Sequence, residues 1–295
     1  AIVENEGLGR FGVEPTQHLP RNAYVPLDWL ADRLDRPRQV NAILVADREE
    51  SSSSNSRVDG AVPADRRLQE LLDPKLADFG LQLERTRRGY FQITSDRMVL
   101  TPRTEAALQP DIERLRAKGG RVQPALTYLA NSIAVGEDGA SRAIPYSTVT
   151  AIDFSMEPPL GLFHSADGTP LGPLADDEIA INEWAAGQLG ASVGDRVRMT
   201  FFSPETADGD PKEHAVELRL AAVLELGSAA ADRDLTPRVK GITDELTMAD
   251  WDPPFPFDSA RIRPEDEEYW EDHGPTPKAF VSLATGRRLW SSRFG

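Results

Sequence analysis

The densest chemistry in this chain is the acidic run RPEDEEYWEDH, Arg263–His273. Six carboxylates, Glu265, Asp266, Glu267, Glu268, Glu271 and Asp272, surround two bulky residues, Tyr269 and Trp270. Two of them facing a sugar would serve glycoside hydrolysis, provided that one keeps its proton near neutral pH. The ordinary meaning of such a run is a solvated helix whose aromatic face packs inward, and that is the expectation here. HSADG, His164–Gly168, groups the three residue types of a hydrolytic triad. Triad members converge from separate segments, however, and no G-x-S-x-G elbow is present. An Asp-Gly turn with a flanking histidine is expected instead.

Other candidates are weaker on spacing. GLGRFG, Gly7–Gly12, fits the dinucleotide fingerprint, but Pro15 and Pro20 block the helix whose amides would meet a pyrophosphate. It reads as a loop. His18, His164, His214 and His273 lie far apart, without an H-x-x-x-H pair, so a zinc site would have to be assembled by folding alone. DGDPKEH, Asp208–His214, offers Asp208, Asp210 and Glu213 to a hard cation but lacks the calcium-loop spacing. It reads as a solvated hairpin loop. WDPPFPFD, Trp251–Asp258, cannot be a regular helix and reads as an aromatic lid on the core, with a partner-docking loop as the other possibility. No catalytic, cofactor-binding or metal-ligating residue is assigned, and no cofactor is expected.

The elements that would position such residues are clearest in EIAINEWAAGQLGASVGDRVRMTF, Glu178–Phe201. Ile179 and Ile181 alternate as in a half-buried strand. Asn182 caps a helix bearing Trp184, Ala185 and Leu189, Gly190 ends it, and Gly194-Asp195 turns into a strand from Arg196. A further strand, Val216–Leu226, places Val216, Leu218, Leu220, Ala222 and Leu224 on one face. Strands are also expected at Ala23–Leu27, Asn41–Ala46, Leu81–Glu84, Tyr90–Thr94, Arg97–Leu100, Val122–Val135 and Ala143–Phe154, with a hairpin at Ser95-Asp96. Helices are expected at Asp28–Leu34, over 64–72, and from Thr101-Pro102 to Lys118 with a break or kink at Pro110. REESSSSNSRVDG reads as a flexible loop or linker.

The bulk numbers exclude several classes. With 295 residues, 40% of them hydrophobic, the chain is globular and large enough for two or three subdomains. A net charge of −15 repels nucleic acid and argues against docking on an anionic membrane through a basic patch. The absence of cysteine removes disulfides, thiolate metal sites and a cysteine nucleophile. No apolar run is long enough to cross a bilayer.

A weak internal repeat organises the whole. AIVE (Ala1–Glu4) matches AVLE (Ala222–Glu225), and PRNAYVPLDWL (Pro20–Leu30) matches PKAFVSLATGRRL (Pro277–Leu289), in the same order. The two copies are complementary in what they lack, so both chain ends read as cropped from something longer. The expected organisation is α+β. A first α/β lobe spans 1–60 and ends in the Ser-rich linker; a middle α+β segment spans 61–142. A second α/β lobe with a Pro, aromatic and acidic C-terminal part spans 143–295.

The order N-E-x-A-A-x-x-L-G-x-x-x-G-D, a strand pair ending in A-V-L-E, then A-F-V-S-L, resembles the extracytoplasmic domain of ABC transporter permeases of the FtsX/MacB type. LTYLANSI (Leu126–Ile133), IPYSTVTAID (Ile144–Asp153) and RNAYVPLDWLADRL followed by VNAILV extend the resemblance over most of the chain. It implies a non-enzymatic domain with a MacB periplasmic-domain-like fold on the periplasmic side of a bacterial inner membrane. Its implied partners are membrane helices of the same parent chain, a cytoplasmic ABC ATPase, and an extracytoplasmic protein or lipoprotein. The implied role is to couple ATP hydrolysis to export, to lipoprotein or lipid extraction, or to activation of a partner. The alternatives are a carboxylate-based extracytoplasmic glycan hydrolase and a secreted binding module.

Overall fold

The computed structural model describes residues 23–35, 75–96, 99–136, 142–155, 157, 159–203, 212–253 and 255–290. The chain divides into two compact units, residues 1–73 and 74–295. In the first, α1 (Leu27–Arg33) has Asp28 in its first turn and Arg33 in its last, both favourable to the helix dipole. Ala23–Pro26, expected as a strand, is not one; Pro26 offers no amide to a ladder. The AIVE landmark, GLGRFG, His18, the Asn41–Ala46 strand, the Ser-rich run and the helix over 64–72 lie outside the described residues, as does most of DGDPKEH.

The second unit begins with a 3-10 turn, Leu76–Phe79, and a hairpin of β1 (Leu81–Arg85) and β2 (Phe91–Ser95). The strands pair Leu83 with Ile93 and Arg85 with Phe91. The hairpin turns at Thr86–Gly89, where Gly89 takes φ 91°, and not at Ser95-Asp96 as the sequence suggested. A glycine free to adopt positive φ outcompetes a Ser-Asp pair for the tight connection. Helix α2 (Pro102–Ala117) starts where expected, with Thr101 Oγ1 accepting from the Thr104 amide at 3.2 Å. Pro110 costs it one hydrogen bond without ending it.

The remaining strands close a six-stranded barrel. They are β3 (Ala125–Val135), β4 (Ala143–Ile152), β5 (Glu178–Asn182), β6 (Arg196–Phe202), β7 (Glu213–Leu224) and β8 (Ala279–Ser282). Around the barrel the order is β3-β4-β8-β5-β7-β6, with β6 pairing back to β3. The β4–β8 and β5–β7 pairs are parallel and the others antiparallel. The fold is therefore α+β, built around a barrel. The expected boundary at 142/143 falls at the start of β4, whose neighbour β3 comes from the other side of it.

Alternation decides what fills the barrel. On β6 and β7 the exposed residues Arg196, Arg198, Glu217 and Arg219 mark the outer wall. Val197, Met199, Leu218 and Leu220 therefore point inward, where Ile179, Ile181, Ala279 and Val281 join them. Ala185 and Leu189 of α3 (Glu183–Leu189) and Trp290 of α5 (Leu283–Trp290) complete this cluster. The outer wall of β5 and β8 is also covered: Ala180 and Phe280 pack with Phe163, Phe154 and Leu235. These strands are buried on both sides, which explains their nearly unbroken apolar runs.

Two irregularities redirect side chains. On β7 the register jumps, with Ile179 opposite Leu220 but Ala180 opposite Ala222. Ala221 is the extra residue of a bulge. Val216, Leu218 and Leu220 thus face inward while Ala222 and Leu224 join the outer cluster, so the single face expected for Val216–Leu224 is split. On β4, Tyr146 has φ 42°, a left-handed conformation that costs a bulky residue about 1–3 kcal/mol. Its side chain leaves the barrel for a third cluster with Ile242, Met248, Trp251 and Trp270.

The unit between Glu178 and Phe201 follows the sequence closely. Asn182 Oδ1 accepts from the Ala185 amide at 2.8 Å, and Gly190 closes α3 at φ 61°. The Gly194 amide donates to Leu220 O and the Leu220 amide to Asp195 O, both at 2.8 Å, which pins the turn to β7. The PKAFVSLATGRRL landmark likewise becomes strand β8 followed by helix α5.

Helix α5 packs closely on the barrel, because a Cβ at Gly286 would collide with Ala151 Cβ. Gly187 on α3 has open space around the same position. Gly286→Ala should therefore cost about 2 kcal/mol through overpacking. Gly187→Ala should gain about 0.5–1 kcal/mol from helix propensity. Urea unfolding of the two variants checks both signs.

Candidate functional site

The most unusual chemistry in the described residues lies behind β8. Helix α4 (Pro264–His273) is the acidic run, and it turns Tyr269 and Trp270 inward as its pattern required; Asp266, expected among the solvated carboxylates, is buried with them. Asp266 is fully buried and held by Arg263, whose Nε and Nη2 donate to its two oxygens at 2.8 and 2.9 Å. The Arg263 amide adds a third bond at 3.0 Å. On the other side Lys278 Nζ lies 3.9 Å from Asp266 Oδ1. It also lies 4.5 Å from the Trp184 ring centroid and 4.7 Å from that of Tyr269. Asn182 Nδ2 donates to Tyr269 Oη at 2.9 Å and to Pro277 O at 3.2 Å.

Burial sets the protonation of this cluster. Lys278 is only 3% exposed, and loss of water pulls its pKa down to about 8. The Asp266 carboxylate opposes that shift and the Arg263 guanidinium adds to it. Burial pushes the Tyr269 phenol well above its usual range, partly offset by the Asn182 hydrogen bond and the charge of Arg233. A lysine amine this close to neutrality is the kind that attacks carbonyls. Here two rings and a carboxylate occupy its surroundings, so the amine is arranged to bind protein groups: α4 to the barrel through charge–charge and cation–π contacts.

A second polar cluster ties the β1–β2 hairpin down. Arg88 Nη2 donates to Ser228 O at 2.6 Å, and its Nε lies 3.7 Å from Asp232 Oδ2. Gln92 Nε2 donates to Asp234 O at 2.8 Å, and the Arg87 amide to the Asp234 carboxylate at 2.9 Å. Burial raises the Asp232 carboxyl, while the Asp234 amide, the Tyr90 hydroxyl and Arg88 draw it back. Tyr90 is itself raised by burial and by Asp232. The two are close enough to influence each other, but neither Tyr90 Oη nor Asp232 Oδ2 completes a well-formed hydrogen bond.

The sequence candidates fall into place around these clusters. In the acidic run, Glu267 accepts from the Met248 and Ala249 amides, each at 2.9 Å. Asp266 is committed to Arg263 and Lys278, while Glu265, Glu268, Glu271 and Asp272 are exposed. HSADG is a turn: Ser165 Oγ donates to Asp167 and to Thr169 O, the Thr169 amide donates back to Asp167, and Gly168 takes φ 84°. These hydrogen bonds hold the exposed Asp167 carboxyl below its usual range. His214 stacks on Phe201 and His273 lies against Tyr269. Among the described residues no three His, Asp or Glu side chains converge as metal ligands would. Trp251 is buried, and Phe255 and Phe257 pack beside it, so WDPPFPFD lies over the third cluster as a lid.

Lys278 escaped the sequence reading, which treated it as the basic residue leading into a strand. The available signal was a lone lysine abutting AFVS, a strand apolar on both faces. Its partner Asp266 was visible only as one of six carboxylates.

No family model matches the chain, and no curated protein matches it.

The buried amine gives a pH signature. The folded Lys278 titrates near pH 8 and the unfolded one near 10.5. At pH 7 both are charged, and the cost of burying that charge is fully present. Between pH 8 and 10.5 the unfolded chain binds the extra proton, so this residue makes stability rise with pH. Relative to Lys278→Met, the wild-type protein should gain stability across that window. Subtracting the two urea-unfolding profiles removes the opposing fall from Tyr269 and Tyr90. Asp266→Asn, which strands the buried Lys278 ammonium and leaves the half-buried Arg263 without its partner, should cost about 3 kcal/mol at pH 7 by the same measurement.

Proposed function

We propose that the chain is a non-catalytic extracytoplasmic domain of an ABC transporter permease of the FtsX/MacB type. In this role it would couple cytoplasmic ATP hydrolysis to export, lipoprotein or lipid extraction, or partner activation on the periplasmic side of a bacterial inner membrane. One observation carries the reading: in the second unit, the residues behind the resemblance fall on elements of the barrel and the helix and turn packed on it, although RNAYVPLDWLADRL forms the exposed α1. Asn182 to Leu189 form the cap and face of α3, Gly194-Asp195 the turn pinned to β7, and Ala222–Leu224 the end of β7. Ala279–Ser282 forms β8, and Leu126–Ile133 and Ile144–Ile152 form most of β3 and β4.

The polar groups support the same reading. Asp266, Lys278 and Asn182 are buried and spent on one another and on neighbouring backbone, as in a body that must stay rigid. A finer MacB-like arrangement of lobes belongs to this proposal as well.

The gene tests it. Reading outward from Ala1 and Gly295 should reveal an upstream apolar segment of about 20 residues and further ones downstream. The full product should then co-purify with an ABC ATPase whose hydrolysis depends on it. Flanks containing only soluble sequence would sink the proposal.

A further inference from the structure

The β1–β2 hairpin is turned inside out. Residues at odd positions share one face and those at even positions the other. The even face packs on the body: Gln92 binds Asp234 O, Glu84 pairs with Arg238 at 3.2 Å, and Tyr90 sits half-buried near Asp232. Leu81, at the open end of the hairpin, is buried. From Leu83 to Ile93 the odd face points to solvent and is the apolar one. Leu83 is 54% exposed, Phe91 67% and Ile93 38%. The 3-10 turn before β1 adds Phe79, 69% exposed. A hairpin normally buries its apolar face, so a chain that buries the polar one is presenting the other.

Charge accompanies this face. Arg85 stands opposite Phe91 on the apolar side, and Arg87 is exposed in the turn. Neither guanidinium has an ion pair within the described residues. Residues 75–96 carry four basic and three acidic side chains, in a chain whose net charge is −15. The patch is also small. A stable protein interface uses about 20–30 residues a side, far more than this hairpin exposes, whereas interfacial insertion into lipid needs only a few apolar side chains beside cations.

We propose that the outward face of the β1–β2 hairpin docks on an anionic phospholipid bilayer, with Leu83, Phe91 and Ile93 entering the headgroup–acyl boundary and Arg85 and Arg87 meeting lipid phosphates. The net charge of −15 opposes approach to such a surface. Contact is therefore confined to the hairpin, where basic side chains outnumber acidic ones, and the acidic remainder turns away. This surface is independent of the transporter reading, and either can fail alone.

Flotation of the 295-residue chain with vesicles tests it. Binding is expected to vesicles containing phosphatidylglycerol, to weaken as NaCl rises, and to be much lower with pure phosphatidylcholine. Leu83→Ser with Phe91→Ser should reduce the bound fraction about tenfold. Arg85→Glu with Arg87→Glu should abolish the phosphatidylglycerol dependence. All four changes are at exposed positions, and unaltered thermal melts by circular dichroism would show that the fold persists. Absence of flotation, or flotation that both double variants leave unchanged, overturns the proposal. Loss of self-association in the Leu83/Phe91 variant without any lipid binding would reassign the face to a protein partner.

Discussion

Barrel closure rests on four residues, Ala279–Ser282. Strand β8 fills the gap between β4 and β5, parallel to one and antiparallel to the other. Without it the wall would have two open edges with unpaired amides and carbonyls facing the core. Its side chains serve both walls at once: Ala279 and Val281 fill the barrel, and Phe280 anchors the outer cluster against Phe163 at 5.1 Å between ring centroids. Lys278, the residue before it, fastens α4. One short strand therefore links the interior, the outer layer and the acidic helix.

The polar contacts around that strand serve specificity more than raw stability. Taking Lys278 and Asp266 out of water costs several kcal/mol per ion, which their mutual attraction offsets only with help. The help is visible in the paired bonds from Arg263, the two rings flanking the ammonium and the Asn182 bridge to Tyr269. An apolar core could slide α4 along the barrel, whereas this set of directional contacts admits one position. Tyr146 is fixed by similar means. Its hydroxyl accepts from the Asp258 amide at 2.8 Å, its ring meets Phe257, and Arg261 covers it while donating to Asn131 O. Those contacts hold a backbone conformation that tyrosine alone would abandon.

Much of this architecture was legible in the residues. The cap at Asn182, the stop at Gly190, the turn at Gly194-Asp195 and the inward Tyr269 and Trp270 all follow from local rules that the fold does not contradict. What escaped was decided by tertiary context. The bulge at Ala221 arises because β7 must match β5, and nothing in ELRLAAVL marks which alanine is left over. The left-handed Tyr146 depends on a lid more than a hundred residues away. Barrel closure pairs β4 with β8 across most of the second unit, a link that periodicity cannot reveal. The polar cluster escaped for the same reason, since Lys278 and Asp266 acquire meaning only once α4 lies on the barrel. The inverted hairpin was hidden differently: strand alternation tells which residues share a face, but not which face the body will cover.

The placement of β8 has a consequence for how the molecule is made. Val149 meets Ala279, so the wall stays incomplete until nearly the whole second unit has left the ribosome. Until then β4 and β5 hold exposed edges and a half-filled interior, the state most prone to mispair with another chain. Joining segments so distant in sequence carries a large entropic cost before any contact rewards it, which places this barrel among slow-folding topologies. The last strand of the barrel to be synthesised is thus the one that commits the fold, and truncation a few residues short of it would leave an open sheet in place of a slightly smaller barrel.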